Sequence, residues 1–145
     1  MAQDRNGRIA ILAARIQRKR RLPAITASWK ALDVAISPLS DELHEDLLAR
    51  LAAVPPSHAW QEEADLAGRL AAFVAEYDTI VVLPWSSGHP SFLVPAHALP
   101  RVGLQIRDIH RDGFFAVTPN RSRALLIDFD DHEALPSVEQ LELRG

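Results

Sequence analysis

The sequence predicts an α+β domain, with N-terminal helices packed on one face of a mostly antiparallel β-meander. Three observations lead there. Apolar residues recur at helical spacing through the first half of the chain. After Asp78 the pattern changes to short β-branched and aromatic runs separated by tight turns. And 145 residues, 48% of them hydrophobic, suit one globular domain with its own core.

The helical half divides at its prolines. Ile9, Leu12, Ala13 and Ile16 share one helical face over residues 7–21, with Arg8, Arg15, Arg18 and Lys19 mostly on the other. Pro23 is expected to stop that helix or start the next, in which Ile25, Trp29, Leu32 and Ile36 form a second stripe. Ser40 reads as an N-cap, with Asp41 and Glu42 in the first turn where the helix dipole favours acids. Leu43, Leu47, Leu51 and Val54 follow as an apolar stripe, closed by Pro55-Pro56. A last helix is expected to be capped by Ser57 and to carry Trp60, Ala64, Ala67, Leu70, Ala71, Val74 and Tyr77. Trp29 and Trp60 therefore read as packing residues.

Strand signals fill the rest. Thr79–Leu83 is a β-branched run suited to burial on both faces. Residues 84–90 (PWSSGHP) read as a loop, Ser91–Val94 as a short strand and Pro95–Pro100 as a turn or single helical turn. Gln105–His110 and Phe114–Thr118 flank Asp112-Gly113, a favoured hairpin dipeptide. Ala124–Phe129 and Ser137–Leu143 complete the meander, with an acidic turn at 130–134. The single domain thus has a basic helix or arm at 1–22, a helical part at 23–77 and a β-rich part at 78–145.

Charge is sorted along these parts. Their acidic and basic residues give net charges of +7 over 1–30, −7 over 31–77 and −3 over 78–145. Surfaces this polarised usually meet something. The absence of Cys excludes disulfides, thiolate metal sites and cysteine nucleophiles. No run approaches the roughly 18 apolar residues that span a bilayer, and Arg15 to Arg21 interrupt any secretory hydrophobic region. A cytoplasmic protein is expected.

Catalytic and metal signatures are weak. Six His residues show neither HExxH spacing nor that of a histidine finger. Asp128, Asp130, Asp131, His132 and Glu133 are the densest oxygen ligands, yet the run lacks the Gly and distal Glu of a calcium loop. It reads as an acidic, protein-binding turn, with no metal and no cofactor. His89 lies near Ser86 and Ser87, but no Gly-x-Ser-x-Gly elbow accompanies them. An enzyme would need His89 or His110 in a pocket beside a perturbed carboxylate. Trp85, after Pro84 in a loop, is placed as an interface anchor.

The basic residues Arg8, Arg15, Arg18, Lys19, Arg20 and Arg21 support an alternative, a nucleic-acid-associated regulator that grips phosphates with the N-terminal helix. Against it, the chain as a whole is acidic and no aromatic platform accompanies these cations. The same residues could equally dock on the acidic helices of this or a second copy.

From Tyr77 to Glu133 the chain resembles small bacterial immunity proteins, the cytoplasmic partners that neutralise toxins of contact-dependent and related polymorphic toxin systems. The likeness lies in Ile80–Leu83, in Ser91 to Pro95, in Asp112-Gly113-Phe114-Phe115 and in Leu125–Glu133. It implies a non-enzymatic inhibitor. Nuclease toxins tend to be basic around the cleft, so Asp128, Asp130, Asp131 and Glu133 would mimic phosphate, with Trp85 as the anchor.

Overall fold

The computed structural model describes residues 2–55, 60–85, 88–129 and 135–143. Helix α1 (Ala2–Ala31) is followed by β1 (Ser37–Pro38), α2 (Asp41–Ala52), β2 (Gln61–Glu62), α3 (Leu66–Val74), β3 (Thr79–Pro84) and β4 (Phe92–Pro95). Then come α4 (Ala98–Val102), a 3-10 helix (Gly103–Asp108), β5 (Gly113–Val117), β6 (Arg123–Asp128) and β7 (Ser137–Glu142). The strands form one open sheet in the order β1-β4-β3-β5-β6-β7-β2, with every neighbouring pair antiparallel. The expected α+β class is what the chain adopts.

Burial alternates along the central strands. Ile80, Val82, Phe114, Ala116, Leu125 and Ile127 pack with Trp29 of α1, Leu70 of α3 and Leu99 of α4. Val81, Leu83, Val117 and Ala124 point the other way and pack with Leu47 of α2. Three helices thus share one face and α2 takes the opposite one, where the sequence placed all of them together. From Ile80 to Leu83 the strand is buried on both faces, as its composition implies, and Thr79 at its start is exposed.

Pro23 does not interrupt α1. The helix runs through it to Ala31, so the boundary drawn at residue 22 falls mid-helix. An internal proline costs about 3 kcal/mol because it removes one ladder bond and crowds the preceding turn. Here Pro23 is exposed, so the freed Lys19 carbonyl is on the solvent side. Burial of Ile25 and of Trp29, the latter at 0% exposure, offsets that cost within the next two turns.

Helix α2 matches its signals. Ser40 caps it, its Oγ accepting from the Leu43 N–H at 3.3 Å, and Asp41 and Glu42 occupy the first turn. Its buried face is rotated from expectation, however. His44 and Leu47 are buried, whereas Leu43 is 42% exposed.

Helix α3 starts later than expected. Asp65, not Ser57, caps it by accepting from the Gly68 N–H at 3.0 Å, and a Cβ at Gly68 would collide with that same carboxylate. Ser57 lies outside the described residues. Trp60 is therefore not a helical core residue but precedes the edge strand β2.

The other correction is Gln105–His110, expected as a hairpin strand. Val102 and Ile106, four residues apart, are both buried, and Gln105 to Asp108 coil in the 3-10 helix that continues from α4. Gly113 is not a hairpin tip either. It opens β5 at φ 124°, and a Cβ there would strike the Ile127 carbonyl across the ladder.

Candidate protein-binding surface

One end of the sheet holds Trp85 and Asp128, the two described residues among those singled out for binding. Gly113 of β5 pairs with Asp128 of β6, Asp128 with Ser137 of β7, and Ser137 with Glu62 of β2. The four lie in one row, and side chains along a row share a face. Pro84 closes β3 opposite Phe114, so Trp85 emerges next to that row.

Trp85 stacks on Phe115, ring centroids 6.0 Å apart and planes at 29°. Trp60, immediately before β2, meets Trp85 at 6.5 Å. The two indoles are 38% and 37% exposed, Trp60 and Trp85 respectively, although each is large enough to fill a core position. Leu126 and Glu139, register neighbours of Phe115, are buried on the same face. An exposed tryptophan pair thus stands on a packed base, beside the carboxylates of Glu62 and Asp128.

Trp85 and Asp128 are brought together here, two strands apart. Asp130, Asp131 and Glu133, the remaining acids placed in this surface by sequence, lie outside the described residues, as does His132. Trp60 was missed as a surface residue. Its only sequence signal is position, directly ahead of the polar pair Gln61-Glu62.

Beneath Trp85 is a cavity of about 40 Å³ lined by Pro84, His89, His110 and Asp112. The Nε2 of His110 accepts from the Trp29 indole N–H at 3.2 Å, which leaves the proton on Nδ1. Burial pushes the His110 imidazole down to about 3. Arg21 donates to the Nε2 of His89 at 2.7 Å, and burial followed by the Arg21 charge lowers His89 as well. Nδ1 of each ring has no partner among the described residues. The space admits one water and no substrate. Ser86 and Ser87, the hydroxyls near His89 in sequence, lie outside the described residues.

The basic helix is largely committed to its own domain. Arg15 donates twice to Glu45, at 2.9 and 2.7 Å. Arg18 is 5% exposed and donates to Asp41 at 2.9 Å and to Glu45 at 3.3 Å. The Arg15 hydrogen bond holds the Glu45 carboxyl below its ordinary range, and the same pairing raises Arg15. With Arg21 on His89, three of the six candidate phosphate-binding cations are already engaged within the chain. Arg8, Lys19 and Arg20 are exposed and make no ion pair among the described residues.

A second cleft, which the sequence did not announce, lies between α1 and the start of α2. His44 and Ser91, 1% and 2% exposed, meet there, with His44 Nδ1 2.7 Å from the Ser91 Oγ. Its sequence signal was available. His44 stands three residues before Leu47 and seven before Leu51, on the inward helical face. Burial and then the nearby Arg18 charge push His44 down to about 4, which makes it a poor general base.

Among the described residues no group of three or more His, Asp or Glu is placed to hold a metal ion. Nor is any described helix long and apolar enough to cross a membrane. Fold and surface together define an α+β chain with an open antiparallel sheet and an aromatic, acid-flanked sheet end. Compared with known protein families, curated proteins and solved structures, it matches none.

Proposed function

We propose that this chain is a non-catalytic, cytoplasmic protein-binding module of the immunity type, which neutralises a basic, nuclease-like toxin. The observation that carries the reading is the exposed Trp60–Trp85 pair seated on Phe115 beside Glu62 and Asp128. Rigid aromatic side chains on a packed base lose little entropy on binding and dominate interface energetics. Flanking carboxylates add a field that speeds encounter with a cationic partner. Asp130, Asp131 and Glu133 follow directly in sequence and extend the acidic run.

The nucleic-acid reading is weaker, because Arg15, Arg18 and Arg21 already have intramolecular partners.

The test is inhibition together with capture. The chain purified from its host should retain a basic protein and suppress that protein's nuclease activity at one-to-one stoichiometry. Reversing Asp128, Asp130 and Asp131 to Lys should slow association, and Trp85→Ala should speed release. Suppression that survives all four changes removes this surface from the proposal.

A further inference from the structure

The cleft between α1 and α2 encloses about 390 Å³, within the range of small-molecule sites. Its walls are apolar, formed by Leu22, Leu39 and Pro90 among others. Its base holds the hydrogen-bonded pair His44 and Ser91, both almost wholly buried. The Nε2 of His44 has no hydrogen-bond partner among the described residues. A buried ring nitrogen left unsatisfied is costly, so its presence in a cleft this size calls for an occupant.

The charge of that occupant follows from the lining. Arg15, Arg18 and Lys19 stand against Asp41 as the ionised side chains around the cleft. Arg15 and Arg18 serve carboxylates of α2, whereas the exposed Lys19 has no ion pair among the described residues. Ser91, as a hydroxyl, can donate to Nδ1, which puts the imidazole proton on Nε2. The base of the cleft then offers an N–H donor and its rim offers a free ammonium. Between them lies apolar wall.

We propose that this cleft binds a small organic carboxylate with a compact apolar body, its oxygens accepting from His44 Nε2–H and pairing with Lys19. The carboxylate satisfies a buried donor that has no partner among the described residues, and its body covers Leu22, Leu39 and Pro90. Acyl transfer is not part of the proposal, since no acceptor among the described residues orients the imidazole and the hydroxyl it holds is buried. The site is separate from the Trp60–Trp85 surface, and the two proposals stand or fall independently.

Titration of the full chain with hexanoate and benzoate, followed by NMR at the histidine ring protons, tests this. Hexanoate or benzoate should shift the His44 signals and saturate with a dissociation constant below about 1 mM. His44→Phe and Lys19→Ala should each weaken binding, the first by about tenfold, with the melting temperature recorded alongside. Hexanol and inorganic phosphate, each holding half of the proposed chemistry, should bind at least about tenfold more weakly. Unmoved His44 signals in the wild-type chain at about 10 mM carboxylate overturn the proposal, whatever the variants do. Equal binding of hexanol overturns the carboxylate assignment, and equal binding of phosphate overturns the apolar one.

Discussion

Trp60 and Trp85, 25 residues apart in sequence, lie with ring centroids 6.5 Å apart and planes inclined at 51° on the outside of the sheet. Neither fills the core, so neither is required to hold the fold. If the chain binds the proposed partner, Trp85→Ala is expected to lower that affinity more than tenfold, about 1.4 kcal/mol or more, and in any case to cost about 1 kcal/mol of stability through the lost Phe115 stack. Calorimetric binding beside a denaturant melt separates the two effects. A double-mutant cycle over Trp60 and Trp85 should return a coupling of about 0.5–1.5 kcal/mol.

Arg18 depends on α2 for its neutralisation. Glu45→Ala removes one of the two carboxylates that meet that nearly buried guanidinium among the described residues and is expected to cost about 1–2 kcal/mol. Replacing Arg18 by Met, which removes the charge and keeps the stem, should be closer to neutral. Glu45 titrates below its ordinary range when folded, so this stabilisation is full above the unfolded carboxylate range and fades as pH falls through the lowered value. Amide exchange in α1 at residues 15–22, compared at neutral and acid pH, reads it directly.

Nucleic-acid binding by α1 should be absent or slight. Grip on phosphate by Arg15 or Arg18 would have to break ion pairs already made to Glu45 and Asp41. No mobility shift of duplex or single-stranded probes is expected at about 50 mM salt. A clear shift with a steep salt slope, lost on removal of residues 1–22, would reinstate that reading.

Acid should destabilise the chain well before its carboxylates are all protonated. The folded value of His110, about 3, lies below that of an unfolded histidine near 6.5, so the unfolded chain takes up the proton first. Stability is therefore complete above about 6.5 and falls as pH drops toward 3, by up to about 4 kcal/mol from this residue. Folding free energies at pH 7, 5 and 4, in the wild type and in His110→Gln, test it. The variant should be weaker at pH 7 and show a shallower pH slope.

Gly113→Ala should be among the most damaging single-methyl changes available. The position combines φ 124° with a Cβ path into the Ile127 carbonyl, at the strand start that pairs with Asp128. A loss of about 2–4 kcal/mol is expected, read as a fall in denaturation midpoint. A loss below about 0.5 kcal/mol would contradict the described register.

Much of the fold is legible in local chemistry. Ser40 with Asp41 and Glu42 marks the start of α2, and the β-branched run at Thr79 marks the central strand, because capping and side-chain periodicity act over a few residues. The charge sorting also has a local origin, and it left docking of the basic N-terminus on acidic helices open beside a grip on nucleic acid. Which acids it finds was not written there. Arg18 reaches Asp41 and Glu45 only because α1 continues through Pro23, and that depends on Trp29 docking against Phe92 and His110, 63 and 81 residues away. The same holds for Trp60, His44 and Ser91, whose roles are set by partners 25 to 47 residues distant. A sequence records each residue's own preference. Whether an indole ends in a core or on a surface depends on what the folded sheet brings beside it.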